Sequence, residues 1–393
     1  MSSQSTQNNE ELPVAREPKM TNLSIQDPDA SNTDEDDLHE DTENDNDGDD
    51  SDNGINNSNK QGEQDNGAVQ YPGTILPGSV LPDNNRQEID ADQNLTEGLD
   101  PNTEFIDLVH LKIASLDDLD LSRFTKLESL CLRQNLITSI VGVKNIASSL
   151  EELDLYDNRI NHISSSIKHL TKLQNLDLSF NLIKNIKNLE SLVELENLYF
   201  VANKIREIKN LDTLTKLRNL ELGGNKIEVI ENLDKNINIT QLWLGKNRIY
   251  KLQNLDPLVN LRVLSIQSNR ISKIQGLDNL KNLEELYLSH NGIEKIEGLE
   301  NNVNLQVLDV TSNKLTDLSG LKHLTKLTDF WCSYNKVLSF KNVEEQLGKL
   351  PELECVYFEG NPLQTENPTA YRRKLKLILG PSLNKIDATY IRS

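Results

Sequence analysis

Asp177 and Glu221, each set between two leucines in "LDLS" and "LELG", are the carboxylates whose spacing could bring them together for acid–base work. Hydrolysis by a carboxyl pair needs a separation of about 5–10 Å and one partner kept protonated by an apolar pocket. The repeat they belong to sets them two strands apart, about 10 Å, at the wide end of that range, and the sequence offers no pocket for a general acid. The histidines, His39, His110, His162, His169, His290 and His323, are scattered, and H-E-x-x-H, Cys-x-x-Cys, G-x-x-x-x-G-K-[ST] and G-x-S-x-G are all missing. Cys332 has no base beside it to make it a nucleophile. The chain is expected to be no enzyme, with no cofactor and no metal site. The other chemistry its residues can do is recognition. Both tryptophans, Trp243 in "QLWLGKN" and Trp331 in "DFWCSYN", lie in strand-like stretches on the side opposite their apolar neighbours.

The elements that would position these residues occupy only part of the chain. Residues 1–100 carry 25 acidic and 4 basic side chains and residues 101–393 carry 37 of each, so the formal charge of −21 belongs to the first hundred residues alone. That stretch, running through "DEDDLHEDTENDNDGDDSDNG", is poor in aromatic and branched apolar residues. It cannot bury enough surface to offset the entropy of ordering, and residues 1–100 are expected to be a disordered acidic tail. An EF-hand does not fit it, because the twelfth position counted from Glu43 is Gly54 and from Asp49 is Lys60, never a glutamate. Acid-flanked Thr33 and Ser51 are candidate phosphorylation sites and "YPGTILPGSVLP", Tyr71 to Pro82, a candidate docking segment, against the plainer reading of a solubilising arm. Cys131, Cys332 and Cys355 make no disulfide framework, and the start lacks a basic-then-apolar leader. No run approaches the roughly 18 apolar residues of a membrane span. A soluble intracellular protein with no membrane partner is expected. The charge-neutral repeat region, with an acidic rather than basic binding column, argues against nucleic acid.

From residue 101 an asparagine recurs at 135, 158, 181, 203, 225, 247, 269, 291, 313, 335 and 361, and seven successive spacings are 22. Leucine-like residues fall eight, five and three positions before it, and isoleucine-like residues two and five after it. Around Asn181 these are Leu173, Leu176, Leu178, Ile183 and Ile186. This is the leucine-rich-repeat pattern. It predicts an α/β solenoid over residues 101–360, about 11–12 repeats, with a curved parallel sheet on the concave face and 3₁₀ or short helices on the convex face. The asparagine amide is expected to satisfy backbone groups of adjacent turns. A degenerate copy, Ile106, Leu108, Leu111, Ile113 and Leu116, has leucine at the asparagine position and is expected to be the N-terminal cap. Residues 361–393 are expected to be the C-terminal cap. There Pro368 can start a helix whose Tyr371, Leu375, Ile378 and Leu379 share a face, with Arg372, Arg373, Lys374 and Lys376 as its solvated side.

The position four before each asparagine lies between two inward leucines and must project out of the sheet. Down the stack it reads Cys131, Asp154, Asp177, Tyr199, Glu221, Trp243, Ser265, Tyr287, Asp309, Trp331 and Tyr357. Strand propensity alone would bring Val, Ile and Thr to this column, and it contains none. Five aromatic and four acidic residues on an arc of about 48 Å read instead as a protein-docking surface, where Trp and Tyr concentrate binding energy. Small residues two before the asparagine, Ser179, Val201, Gly223, Gly245 and Ser289, would leave a partner room beside the rings.

The stretches "LCLRQNLI", "ELDLYDN", "LGKNRI", "ELYLSHNGIE", "GNPLQ" and "YRRK" resemble the leucine-rich-repeat regulatory subunits of protein phosphatase 1, in positions the repeat itself leaves free. The resemblance covers nearly all of residues 101–393. It implies a non-catalytic subunit of nucleus and cytoplasm that binds the phosphatase-1 catalytic subunit and acts in mitotic exit and chromosome segregation. It also implies use of the concave face in place of an [RK]-V-x-F motif, which "KVLSF" from Lys336 does not fit, and an ability to hold the phosphatase in an inactive, metal-deficient form, often with a small phosphatase inhibitor. Of the family's contact residues, Asp177, Glu221, Asp309, Trp331 and Tyr357 match in type. Tyr199 and Trp243 stand where phenylalanine is usual, and Asp329 where glutamate is usual. Tyr287 joins the candidate site from the column alone. By itself the chain is expected to be monomeric. The alternative is a leucine-rich scaffold of another complex, of the spliceosomal A-prime or cytoskeletal kind.

Overall fold

The computed structural model describes residues 95–391. Thr33, Ser51 and the Tyr71–Pro82 segment lie outside the described residues. Each repeat contributes one three-residue strand, from Phe105–Asp107 through Cys355–Tyr357, and these strands pair in parallel, in chain order, within a single sheet of 14 strands. The central residue of each faces the core and meets its counterpart, as Leu220, Leu242 and Leu264 do across three repeats. No helix of the described residues is long and apolar enough to cross a membrane.

The register follows from the asparagines. Asn247 donates Nδ2 to the Leu244 carbonyl of its own repeat at 3.1 Å and to the Leu222 carbonyl of the preceding one at 2.9 Å, while its Oδ1 accepts from the Ile227 N–H at 3.0 Å. The same bonds recur from Asn135 to Asn361, tying each turn to the next through groups that would otherwise be buried and unpaired. The residue before each asparagine is left-handed whatever its type, with φ of 55° at Phe180, 54° at Lys246 and 54° at His290. A second column, seven after each asparagine from Asn181 to Asn313, is also left-handed. Asn188, Asn210, Asn232 and Asn254 hold it first, each donating to a carbonyl of the preceding repeat at 2.7 Å, and Gly276, Gly298 and Gly320 then take over. At Gly298 a Cβ would lie 2.7 Å from the Ile274 carbonyl oxygen, so that turn admits only glycine without movement.

On the return side, 3₁₀ helices form at Val141–Asn145 and Ser165–His169. The repeats from Ile183 to Leu338 return through turns alone, closed by bonds such as Leu192 N–H to Leu189 O at 2.9 Å. The long spacing before Asn361 accommodates an α-helix, α1 (Phe340–Leu347), capped by the Ser339 side chain.

At the N-terminal end Ile106, Leu108, Ile113 and Leu116 are buried as the pattern requires. Leu111 is not: it is 41% exposed, because it lacks the amide that would draw it inward, and its N–H is taken by Asn135 Oδ1 at 3.0 Å. Thr96 is fully buried and donates to the Leu119 carbonyl at 2.8 Å, so residues ahead of 101 belong to this packing. At the other end come α2 (Pro362–Thr365) and α3 (Tyr371–Ile378), and Tyr371, Leu375 and Leu379 seal the last layer. Two of the four cations expected to be solvated are structural. Arg372 donates to the carbonyls of Ile386 (2.7 Å) and Thr389 (3.1 Å), and Lys374 donates to Asn367 and lies 4.5 Å from the Phe340 ring centroid. The chain ends in two strands the sequence pattern does not announce, Lys385–Ile386 parallel to Cys355–Val356 and Thr389–Tyr390 antiparallel to it in turn. Between them Asp387 accepts from the N–H groups of Phe358 and Glu359 and from the Tyr371 hydroxyl, standing in for a further asparagine.

Candidate protein-docking face

The position-minus-four residues are Cα partners in unbroken register from Asp107 to Tyr357. The apolar residues flanking them are buried, none more than 5% exposed, so the column stands on the outer face of the sheet. Eight of the nine candidate residues are in it: Asp177, Tyr199, Glu221, Trp243, Tyr287, Asp309, Trp331 and Tyr357. Asp329 opens the strand that Trp331 closes, beside Cys355. The column divides by chemistry, mostly acidic as far as Glu221, with Tyr199 among the carboxylates, and mostly aromatic from Trp243, with Ser265 and Asp309 between the rings.

In the aromatic half the rings touch, Trp331 and Tyr357 on adjacent strands and Trp243, Tyr287 and Trp331 although they sit on alternate ones. Trp243 and Tyr287 have centroids 6.4 Å apart at 19°, Tyr287 and Trp331 6.1 Å, and Trp331 and Tyr357 6.0 Å at 70°. Alternate strands are about 9.6 Å apart, so the rings lean toward each other over the residues between them. Ser265 is left 1% exposed and Asp309 8%. Offset and edge-on contacts of this kind are the favoured ones for aromatic pairs. The result is a continuous apolar platform that extends to Lys385, 5.3 Å from the Tyr357 centroid. The Tyr287 hydroxyl donates to Glu285 Oε2 at 2.7 Å, and burial together with that carboxylate pushes its pKa well up. The indole N–H of Trp243 is buried without an acceptor among the described residues, and that of Trp331 lies against the Cys355 thiol. Beside Trp243 the space at Gly245 is filled by the Gln267 side chain, which also accepts the Ser265 hydroxyl.

In the acidic half the aspartates have a local task. Asp107, Asp154, Asp177 and also Asp309 each accept the backbone N–H two residues on, at 3.2, 3.0, 2.8 and 2.9 Å, which bends the chain away from the strand. Asp154 is further engaged by Arg133 at 2.9 Å, whose guanidinium lies 4.1 Å from the Tyr156 centroid, and that ring in turn meets Phe180 at 4.9 Å. Asp177 and Glu221 have no such ion pair among the described residues. Burial raises the pKa of Asp177, with Asp154 adding to it, and burial and then Asp177 raise that of Glu221. Tyr199 stands in register between the two carboxylates, which are two strands apart. Among the described residues no group of three His, Cys, Asp or Glu is arranged to hold a metal ion. The pattern does not single out Arg133, Glu285 or Gln267, whose positions vary freely between repeats; Asp107 is legible only once the degenerate first copy is aligned on Leu111.

Comparison with known proteins fits this geometry. The family description "Leucine Rich repeats (2 copies)" matches residues 259–301 and 303–344, and "Leucine Rich Repeat" matches 149–170. Among solved structures, an internalin of Listeria monocytogenes shares the fold at a TM-score of 0.61 and 22% identity, over 77% of this chain and 94% of that one. Among curated proteins, the protein phosphatase 1 regulatory subunit SDS22 of Saccharomyces cerevisiae is 67% identical over 317 residues, covering 80% of this chain and 94% of that protein. A protein of the same name from Schizosaccharomyces pombe is 54% identical over 61 residues, 16% of this chain and 18% of that protein. With its repeats, its strand-face column and this extent of identity, the chain belongs to the leucine-rich-repeat regulatory subunits of protein phosphatase 1, which regulate rather than catalyse.

Proposed function

We propose that the concave strand face seats the catalytic subunit of protein phosphatase 1 and that the chain thereby controls that enzyme's activity, maturation or location. The observation that carries this reading is the preassembled ring platform from Trp243 to Tyr357 set beside two carboxylates, Asp177 and Glu221, that lack an ion pair. Rings already packed on one another lose little side-chain freedom on binding, so their apolar area is available at low entropic cost. The unpaired carboxylates would meet basic groups of the partner, and Asp329 would do so at the far end; such charge pairs fix register and speed encounter. Asp309, covered by the rings, would reach a partner only if they parted. In this reading the complex works in nucleus and cytoplasm, in mitosis and chromosome segregation, and admits a small phosphatase inhibitor as a third member, as the resemblance implies.

Trp243→Ala and Trp331→Ala should each weaken binding of the purified catalytic subunit by about 2 kcal/mol, roughly 30-fold, with little change in unfolding midpoint. Unaltered affinity in both variants would remove the ring platform from the interface. Phosphatase assays with this protein, with and without added manganese, would then separate inhibition from control of metal loading.

A further inference from the structure

Immediately after the asparagine, where the chain leaves the strand for the return side, six of the seven repeats from Asn203 to Asn335 carry a cation: Lys204, Lys226, Arg248, Arg270, Lys314 and Lys336, with Gly292 the exception. Their backbone N–H groups each donate to the preceding repeat at 2.8–2.9 Å, so they are held in step along one edge of the stack. Among the described residues none has a carboxylate within ion-pairing distance. The opposite edge is built differently, for there Lys216, Arg218 and Arg262 pair with Glu194, Glu196 and Glu284 of the neighbouring repeat. Counted from the residue before each asparagine to the third after it, Asn158 to Asn335, this edge holds ten Lys or Arg and three Asp or Glu, although residues 101–393 as a whole hold equal numbers. Like charges in adjacent rungs destabilise a ladder, and an anionic ligand laid along it would relieve that cost.

We infer that this edge is a second docking surface, a basic rail for an extended acidic segment of a partner polypeptide. From Lys204 to Lys336 there are six repeat steps, about 29 Å, the length of eight or nine residues of extended chain. A polypeptide fits better than single-stranded nucleic acid. The exposed rings near the edge, Phe180, Tyr250 and Tyr334, are three and four repeats apart. That is about 14 and 19 Å, whereas proteins that bind single strands stack successive bases. The acidic half of the strand face would repel the same ligand, so the two surfaces serve different partners.

The test is fluorescence anisotropy of a labelled ten-residue oligoglutamate with the full chain at low and at physiological salt. Reversing the rail with Lys204→Glu, Lys226→Glu, Arg248→Glu and Arg270→Glu together should weaken binding about tenfold or more, the effect of four screened contacts. The same charge change on the opposite edge, Lys172→Glu at the position equivalent to Lys216 with Lys216→Glu, Arg218→Glu and Arg262→Glu, should leave binding nearly unchanged. If the reversed rail fails to fold, glutamine at the same four positions should give a smaller loss in the same direction. Equal losses at both edges, no loss at the rail, or tighter binding of an oligothymidine of matched charge would each overturn the inference.

Discussion

Asp177 and Glu221 are the carboxylates of the strand-face column whose ionisation the fold itself opposes. Their pKa values are raised, so between the ordinary carboxylate range, about 4, and their raised folded values the folded chain holds more protons than the unfolded one. In that window stability falls as pH rises, the reverse of the usual carboxylate contribution. A cationic partner inverts the preference, because it favours the charged form. Affinity for the phosphatase should therefore rise with pH through the same window, upward from the ordinary carboxylate range. Asp177→Asn with Glu221→Gln should flatten that rise in isothermal titration, and an unflattened profile would place the titrating groups elsewhere. Trp243 makes a second expectation at this scale. Its buried N–H lacks an acceptor, an omission that costs about 1–3 kcal/mol, whereas phenylalanine keeps the ring beside Tyr287 and removes the donor. Trp243→Phe should stabilise the fold by about 1 kcal/mol in denaturant unfolding, and a fall in stability would show that the indole's packing, not its unpaired donor, dominates at this site.

At the scale of the repeat, the asparagine holds neighbouring turns together. Asn247→Ala leaves the Ile227 N–H without its partner and takes one of two amide donors from each of the Leu222 and Leu244 carbonyls, which keep Asn225 and Asn269. An N–H left buried and unpaired costs about 1–3 kcal/mol and each further lost hydrogen bond about 0.5–1.5 kcal/mol, so a loss of about 3 kcal/mol is expected. Hydrogen exchange should quicken first at Ile227 and its neighbours, as stability in a solenoid is largely a nearest-neighbour quantity. These asparagines and the leucines around them are legible in the sequence because only those side chains do those tasks. The left-handed residue before each asparagine is not legible, since its side chain lies outside the repeat interior and can be Phe180, Lys246 or His290 alike. The second left-handed column leaves a fainter trace, an exchange of Asn for Gly in "KNL", "ENL" and "EGL", the two residue types that tolerate that backbone. On the candidate face the rings and carboxylates are legible as a biased column. Their contacts are not: sequence does not show that Trp243, Tyr287, Trp331 and Tyr357 close over Ser265 and Asp309, or that the aspartates also turn the chain. The final two-residue strands are too short for any period to mark them.

At the scale of the whole stack, each repeat is stable only against its neighbours, so the ends decide how far order extends. The two ends are built unequally. At the first strand Phe105 is 57% exposed, with Val109 and Leu111 exposed beside it, whereas the last layer is covered by α3 and the terminal strands and pinned where the Tyr371 hydroxyl meets Asp387. Tyr371 is 3% exposed, and burial with the Asp387 carboxylate raises its pKa far above the ordinary phenol range, so the hydroxyl keeps its proton and the bond. Tyr371→Phe should cost about 1 kcal/mol, one hydrogen bond, whereas Tyr371→Ala should cost about 3–5 kcal/mol because it also opens a cavity under the cap. The consequence should travel inward. With the cap loosened, the strand Cys355–Tyr357 loses its outer neighbour, Tyr357 no longer buttresses Trp331, and affinity for the phosphatase should drop although Tyr371 lies off the strand face. Hydrogen exchange should accelerate at residues 355–358 and 385–391 and stay unchanged at 130–178. Uniform acceleration along the stack would mean that the repeats unfold as one cooperative block, and the cap could then have no selective hold on the aromatic half of the face.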